Sequence, residues 1–141
     1  MSSATLRTFL SSDISAALAL WRNLPGIGLT AADSPPALTL FLQRNPGLSR
    51  VAVVDGVVVG TVLCGHDGRR AFLYHLAVAP AHRHRGIGQA LVRACTAHLQ
   101  RLGLERTTIH LFAANDEGKA FWRDAGWRER SDLAVLQVDL I

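Results

Sequence analysis

The residues best suited to chemistry in this chain lie together at Arg83-His84-Arg85-Gly86-Ile87-Gly88-Gln89. A β-branched run ends just before them at Leu76-Ala77-Val78, and a helical apolar pattern begins at Gly86, so the segment is expected to be a loop that opens a helix. The first turn of a helix leaves backbone N–H groups unpaired, and the helix dipole adds positive potential at the same place. Gly86 and Gly88 let main chain approach a ligand closely, while Arg83, His84 and Arg85 surround it with cationic or imidazole side chains. That combination is an anion site suited to a diphosphate.

Gly-x-Gly after a strand also belongs to the dinucleotide-binding fingerprint, but the match stops there. The third glycine position holds Leu91, and no carboxylate ends the next strand, Thr107 to Phe112, to bind a ribose. His82-x-His84 has metal-ligand spacing without a cysteine or carboxylate partner nearby, so no metal site is expected. Cys64 and Cys95 are too few for a disulfide framework or a zinc cage and read as reduced core thiols.

Charge narrows the ligand class. The net charge of +4, from 15 basic and 11 acidic residues, is mild and is concentrated only at His82-Arg83-His84-Arg85 and Arg69-Arg70. A phosphate-bearing small molecule fits this better than a nucleic-acid track, and no nucleic-acid partner is expected. The apolar runs are all shorter than the roughly 18 residues of a membrane span, so no membrane partner is expected either. Met1-Ser2-Ser3-Ala4-Thr5 lacks a charged flank followed by an apolar block, which with the cysteine usage points to a cytoplasmic protein. With 141 residues, 49% of them apolar, the chain can bury one core and is expected to be a single domain over residues 1–141.

The elements that must position the glycine loop follow from period and punctuation. Thr5 to Phe9 reads as a short strand. Ser12 and Asp13 can cap a helix with Ile14, Ala17, Leu18, Trp21 and Leu24 on one face, stopped at Pro25-Gly26. Ser34 caps a second helix with Pro35 at its first position and Leu38, Phe41 and Leu42 inward. Arg50 to Val54 and Val57 to Cys64 form a hairpin about Asp55-Gly56, and Ala71 to Val78 extends it to a meander. Gly86 to Leu102 is a long helix with Ile87, Leu91, Ala94, Cys95, His98 and Leu102 on one face. Thr107 to Phe112 is a strand, Asn115 caps a shorter helix with Ala120, Phe121 and Ala125 inward, and Leu133 to Ile141 is a final apolar run.

Two segments at this separation carry a resemblance to a known family. Leu76-Ala77-Val78 through Arg83-x-x-Gly86-x-Gly88, with Asn115, Phe121-Trp122 and Gly126-Trp127 downstream, resembles the GNAT superfamily of acetyl-CoA-dependent N-acetyltransferases. The order of strands and helices from Thr5 to Ile141 is similar too. The resemblance implies an α/β (α+β) fold with about four helices and a mixed, mostly antiparallel sheet. That sheet would splay at a central cleft between the strand ending at Val78 and the one containing His110.

It implies acetyl-CoA as cosubstrate and no metal. Backbone at Leu76, Ala77 and Val78 would pair with the pantetheine arm, and an amide near Leu76 would polarise the thioester carbonyl. Arg83, at the mouth of the loop, and the amides of His84, Arg85, Gly86, Ile87, Gly88 and Gln89 would hold the diphosphate. Asn115 would contact the pantetheine and Trp122 would lie near the sulfur. The implied activity is acetyl transfer to a primary amine of a small molecule or peptide by direct attack in a ternary complex; the other reading is a noncatalytic acyl-CoA-binding sensor or interaction domain. A homodimer is compatible with either.

One departure bears on the proton chemistry. Many members of the family carry a tyrosine where this chain has Trp122, and an indole N–H gives up no proton near neutrality. Tyr74, the only tyrosine, stands where some members place a catalytic glutamate or histidine, and it can inherit the acid role. His110 occupies the position of a catalytic glutamate in bacterial protein N-terminal acetyltransferases of the superfamily, which makes it the expected proton acceptor. His75 is expected on the opposite face from Tyr74, in a structural role, because successive residues of a strand alternate.

Overall fold

A computed structural model of the chain describes residues 3–141; the first two residues of the terminus considered above lie outside the described residues. The described chain divides into two units, one running to His110 and one spanning Leu111–Ile141.

The first unit contains β1 (Thr5–Thr8), α1 (Ile14–Arg22), α2 (Pro35–Arg44), β2 (Arg50–Val54), β3 (Val57–His66), β4 (Ala71–Val78), α3 (Ile87–Arg101) and β5 (Thr107–Ile109). Three short 3-10 turns, Ser11–Asp13, Ala31–Asp33 and Pro80–His82, punctuate them. The five strands lie in the order of the chain and pair antiparallel except for β4 and β5, which are parallel. Two local signals behave as their chemistry requires, whereas the expected Ser12/Asp13 cap of α1 is not made: Asp13 stands at the N-cap, but its carboxylate accepts from Arg7 and the Leu10 N–H instead. Asp55 and Gly56 take φ values of 49° and 78°, matching the twist of a two-residue hairpin. The Ser34 hydroxyl accepts the Ala37 N–H at 3.3 Å with prolines in the first turn of α2.

The sheet is packed on two sides. Ile14, Ala17, Leu18 and Trp21 of α1 join Leu38, Val51, Leu63 and Ala77 in one buried cluster. On α3 the buried residues are Ile87, Leu91, Val92, Cys95 and Leu99. This face is rotated slightly from the expected one, for Leu102 is 51% exposed. Gly60 lets α3 seat closely, because a Cβ there would lie 3.2 Å from Ile87 and Leu91. Each fully buried Leu or Ile in such a face contributes about 1.5–3 kcal/mol of transfer free energy.

Two irregularities position the site. The parallel pairing of β4 with β5 covers only Ala71, Phe72 and Leu73, so among the described residues β4 from Tyr74 to Val78 runs on with no strand beside it on that edge. This is the expected splay. On its other edge β4 pairs Ala77 with Thr61 but Tyr74 with Leu63, leaving His75 and Leu76 opposite the single residue Val62. That is a β-bulge, and His75 takes φ of +50° within it. The inserted residue breaks the alternation that assigned Tyr74 and His75 to opposite faces. Tyr74 packs against Phe41 of α2 and His75 against Trp21 of α1, so both rings face the same pair of helices.

The second unit holds α4 (Asp116–Asp124), capped as expected by Asn115, whose Oδ1 accepts the Gly118 N–H at 2.9 Å. Its buried residue is Trp122, which packs on Trp127 at 4.5 Å, whereas Ala120 faces out. Leu133–Ile141 is not a strand, and Leu136, Val138 and Leu140 are 89%, 81% and 91% exposed. An alternating pattern becomes a strand only when a ladder takes up its backbone N–H and C=O groups, and these residues belong to none.

Candidate active site

The 3-10 turn Pro80–His82 ends β4 and carries the chain into the glycine loop. Arg83 folds back, its Nε donating to the Val78 carbonyl at 3.2 Å, and Arg85 reaches the Nδ1 of His82 at 3.3 Å. His84 and Gly86 both have positive φ, 62° and 79°. This turns successive amides toward one side of the loop, as in an anion nest. Gly86 is the N-cap of α3 with no side-chain cap, and the first helical bond runs from the Ala90 N–H to the Gly86 carbonyl at 3.0 Å.

The amides of Ile87, Gly88 and Gln89 therefore have no acceptor among the described residues. They are the orphan donors of a helix start, with no acidic side chain in that first turn to neutralise the dipole. A Cβ at Gly86 would meet no atom within 4 Å, so the space in front of the loop is open. Ile87 is buried and anchors the turn, while the Gln89 side chain is tied to Arg93 at 2.9 Å and leaves its backbone N–H free. A hollow of about 350 Å³ flanks the loop on its β1–β2 side, lined by Leu6, Val54, Gly86 and Ile87. Of the expected cofactor residues, the structure thus gathers Leu76–Val78 and Arg83–Gln89 along one strand end and one helix start. Asn115 and Trp122 belong to the second unit.

A row of rings crosses the α1–α2 side of β4. Phe41 meets Tyr74 edge-on at 6.0 Å, Tyr74 stacks on Phe72 at 6.1 Å, and Phe72 reaches His110 at 5.8 Å. Tyr74 and His110 are therefore separated by a single ring on one surface. His110 lies one residue beyond the end of β5, exposed instead of embedded in the sheet. Burial of its ring pushes the Tyr74 hydroxyl above the ordinary phenol range, which keeps it a proton donor.

Beside this row lies a polar arrangement that sequence reasoning missed. His75 Nε2 is 2.7 Å from Asp33 Oδ1, and the other Asp33 oxygen accepts the Thr30 N–H at 3.0 Å. Trp21 Nε1 donates to the Thr61 hydroxyl at 2.8 Å, which donates to the His75 carbonyl at 3.0 Å. Thr30-x-x-Asp33 carries a helix-start signal, but nothing in the sequence linked it to a residue 42 positions away.

Comparison with known proteins decides the family. The model of the acetyltransferase (GNAT) family matches residues 18–127. The chain belongs to the GNAT acetyltransferases. It is 34% identical over 113 residues to an acetyltransferase of Pectobacterium atrosepticum, covering 79% of this chain and 77% of that protein. An acetyltransferase of Photorhabdus laumondii is 32% identical over 135 residues, 93% of this chain and 91% of the relative. In fold it is similar to the PaiA N-acetyltransferase of Thermoplasma acidophilum, solved in complex with coenzyme A, with a TM-score of 0.76 at 18% identity over 86% of this chain and 87% of that one.

In this GNAT chain the splayed β4 edge and the glycine loop belong to one continuous run, Tyr74 to Gln89. No group of three or more His, Cys, Asp or Glu side chains among the described residues could hold a metal. No helix among them is long and apolar enough to cross a membrane.

Proposed function

We propose that this GNAT acetyltransferase moves the acetyl group of acetyl-CoA to a primary amine of a small molecule or peptide, by direct attack in a ternary complex, with residues 1–141 acting as one domain. The observation that carries this reading is the set of amides at Ile87, Gly88 and Gln89 with no acceptor among the described residues, reached directly from a strand whose outer edge from Tyr74 to Val78 pairs with no strand among them. The two fit an elongated ligand with an anionic end and an amide-bearing arm, which is the chemistry of coenzyme A. When bound, acetyl-CoA supplies an acetyl group activated as a thioester.

The chain's own residues then have distinct tasks. Arg83 and the amides of His84 to Gln89 hold the diphosphate with charge and dipole. Leu76, Ala77 and Val78 offer main-chain donors and acceptors to the pantetheine, and the Leu76 amide polarises the carbonyl. Asn115 and Trp122 act on the pantetheine and sulfur. Tyr74 protonates the departing thiolate, and exposed His110 relieves the incoming ammonium of a proton and passes it to water. Cys64 and Cys95 are fully buried, which argues for direct transfer over a covalent acyl-enzyme.

Thiol release from acetyl-CoA across a panel of primary amines tests the reading, with turnover dependent on amine as the expected result. Trp122 in place of a tyrosine favours the second reading, a noncatalytic acyl-CoA-binding domain. Coenzyme A binding with no amine-dependent turnover would select it.

A further inference from the structure

We propose that Asp33 and His75 form a proton-accepting pair, in which His75 Nδ1 takes the proton of the attacking amine nitrogen and Asp33 is its positioning residue. This rests on the transferase reading above and adds to it the group that serves the bond-forming step.

The geometry is that of an imidazole held by a carboxylate. His75 Nε2 stands 2.7 Å from Asp33 Oδ1, and the second carboxylate oxygen is committed to the Thr30 N–H at 3.0 Å, so the carboxylate is fixed in its own turn. The ring lies against Trp21 at 4.7 Å, and Trp21 is pinned through Thr61 to the His75 carbonyl. Ring and backbone of His75 are both tied down.

What separates this pair from a simple brace between the α1–α2 connection and β4 is the other nitrogen. His75 Nδ1 has no hydrogen-bond partner among the described residues and is not among the sealed, unpartnered polar atoms. The side chains of His75 and Asp33 are 16% and 11% exposed, enclosed but not closed off. A carboxylate on Nε2 selects the tautomer with its proton there and leaves a lone pair on Nδ1. Of the elements packed against His75, α1 presents Trp21 to the ring, β3 presents the Thr61 hydroxyl to the backbone carbonyl, and the turn before α2 presents Asp33, the only charged group bonded to the ring among the described residues. On β4 itself the titratable neighbour is Tyr74.

The place in the strand suits the task. His75 sits in the bulge at φ +50°, immediately before Leu76, the residue given the thioester carbonyl. A non-glycine residue held in this region is strained, and such strain collects at working sites. The bulge brings His75 to the face that carries Tyr74 and the ring row.

The protons balance. An ammonium substrate loses its first proton to His110 and water. As the N–C bond forms, the second passes from nitrogen to His75 Nδ1. The C–S bond breaks, the thiolate takes the Tyr74 proton, and the proton on His75 restores Tyr74, leaving one proton released per amide formed.

The test has two readouts on the whole chain. Long-range proton–nitrogen NMR of the histidine rings should find His75 with its proton on Nε2, and Asp33→Asn should release that tautomer preference, because the carboxylate holds the proton on the nitrogen that faces it. Thiol release from acetyl-CoA, with benzylamine, spermidine and an alanine-initiated peptide as probes, should fall about 100-fold or more in His75→Asn and about 10-fold in Asp33→Asn. Asparagine tolerates positive φ, so the first variant keeps the bulge. The loss in Asp33→Asn should fall on kcat with KM nearly unchanged, and Asp33→Glu should restore most of it.

A His75→Asn protein that binds coenzyme A normally and retains turnover overturns the proposal, as does a proton on Nδ1 in the spectrum. If His75→Asn fails to fold, an Asp33→Asn protein with unchanged kcat and an unchanged His75 tautomer overturns it. Failure of the transferase reading looks different: the wild-type protein releases no thiol with any probe, and the base falls with it.

Discussion

The Phe41 ring meets Tyr74 edge-on, with centroids 6.0 Å apart and planes at 87°, so the aromatic body of Tyr74 is held by α2. Tyr74→Phe keeps that contact and removes only the donor. Turnover should drop about 10-fold to 100-fold, with the coenzyme A-induced thermal shift unchanged. Burial holds the hydroxyl above the ordinary phenol value, so the acid stays protonated and wild-type rates should persist into alkaline solution. A pH–rate profile in which the phenylalanine variant matches wild type would remove Tyr74 from the proton chemistry.

Coenzyme A should raise the melting temperature through the loop amides, since a ligand at 100 times its Kd adds about 2.7 kcal/mol to the native state. Gly88→Val puts a branched side chain beside the free N–H groups of the first turn of α3. The folded variant should show no shift. A full shift in that variant would move the cofactor away from residues 83–89.

Trp122 is 6% exposed and lies 4.5 Å from Trp127, whose N–H also bonds its carbonyl at 2.9 Å. Trp122→Phe should therefore change packing and coenzyme A affinity while every limb of the pH–rate profile survives, because an indole has no proton to give near neutrality. Loss of an alkaline limb in this variant would contradict that chemistry.

Acid stability should report on Asp13. Arg7 donates to both its oxygens at 2.7 and 2.9 Å and the Leu10 N–H at 2.8 Å; these bonds hold the carboxyl below its ordinary 3.8, against the opposing effect of burial. With the folded value depressed, the contribution is complete above about pH 4 and disappears as pH falls through the folded value. Asp13→Asn should cost about 1–2 kcal/mol at neutral pH, much of the pair being open to water at Arg7, and should flatten the acid limb of a stability–pH curve measured by denaturant unfolding. A curve with the same acid slope as wild type would count against the pair.

Features legible in the sequence are those whose causes lie within a few residues. Asp55-Gly56 turns the chain because both positions accept positive φ, and Ser34 and Asn115 start helices because their side chains reach an N–H three residues on. Arg83 to Gln89 reads as an anion loop because glycines, cations and a helix start coincide there. All of these depend on local backbone geometry, and the family's order of elements follows from them.

Tertiary structure decided what depends on register. The bulge that places two residues against Val62 arises from the fit of β4 to β3, and a sequence period of two has no term for one inserted residue. Alternation alone therefore puts His75 on the wrong face, and its partner Asp33 lies 42 residues away with no pattern to join them. The early end of β5 at Ile109, which leaves His110 exposed, and the unpaired run Leu133–Ile141 have the same origin. Side-chain alternation says that a segment can be a strand, and only a neighbouring backbone with free N–H and C=O groups makes it one.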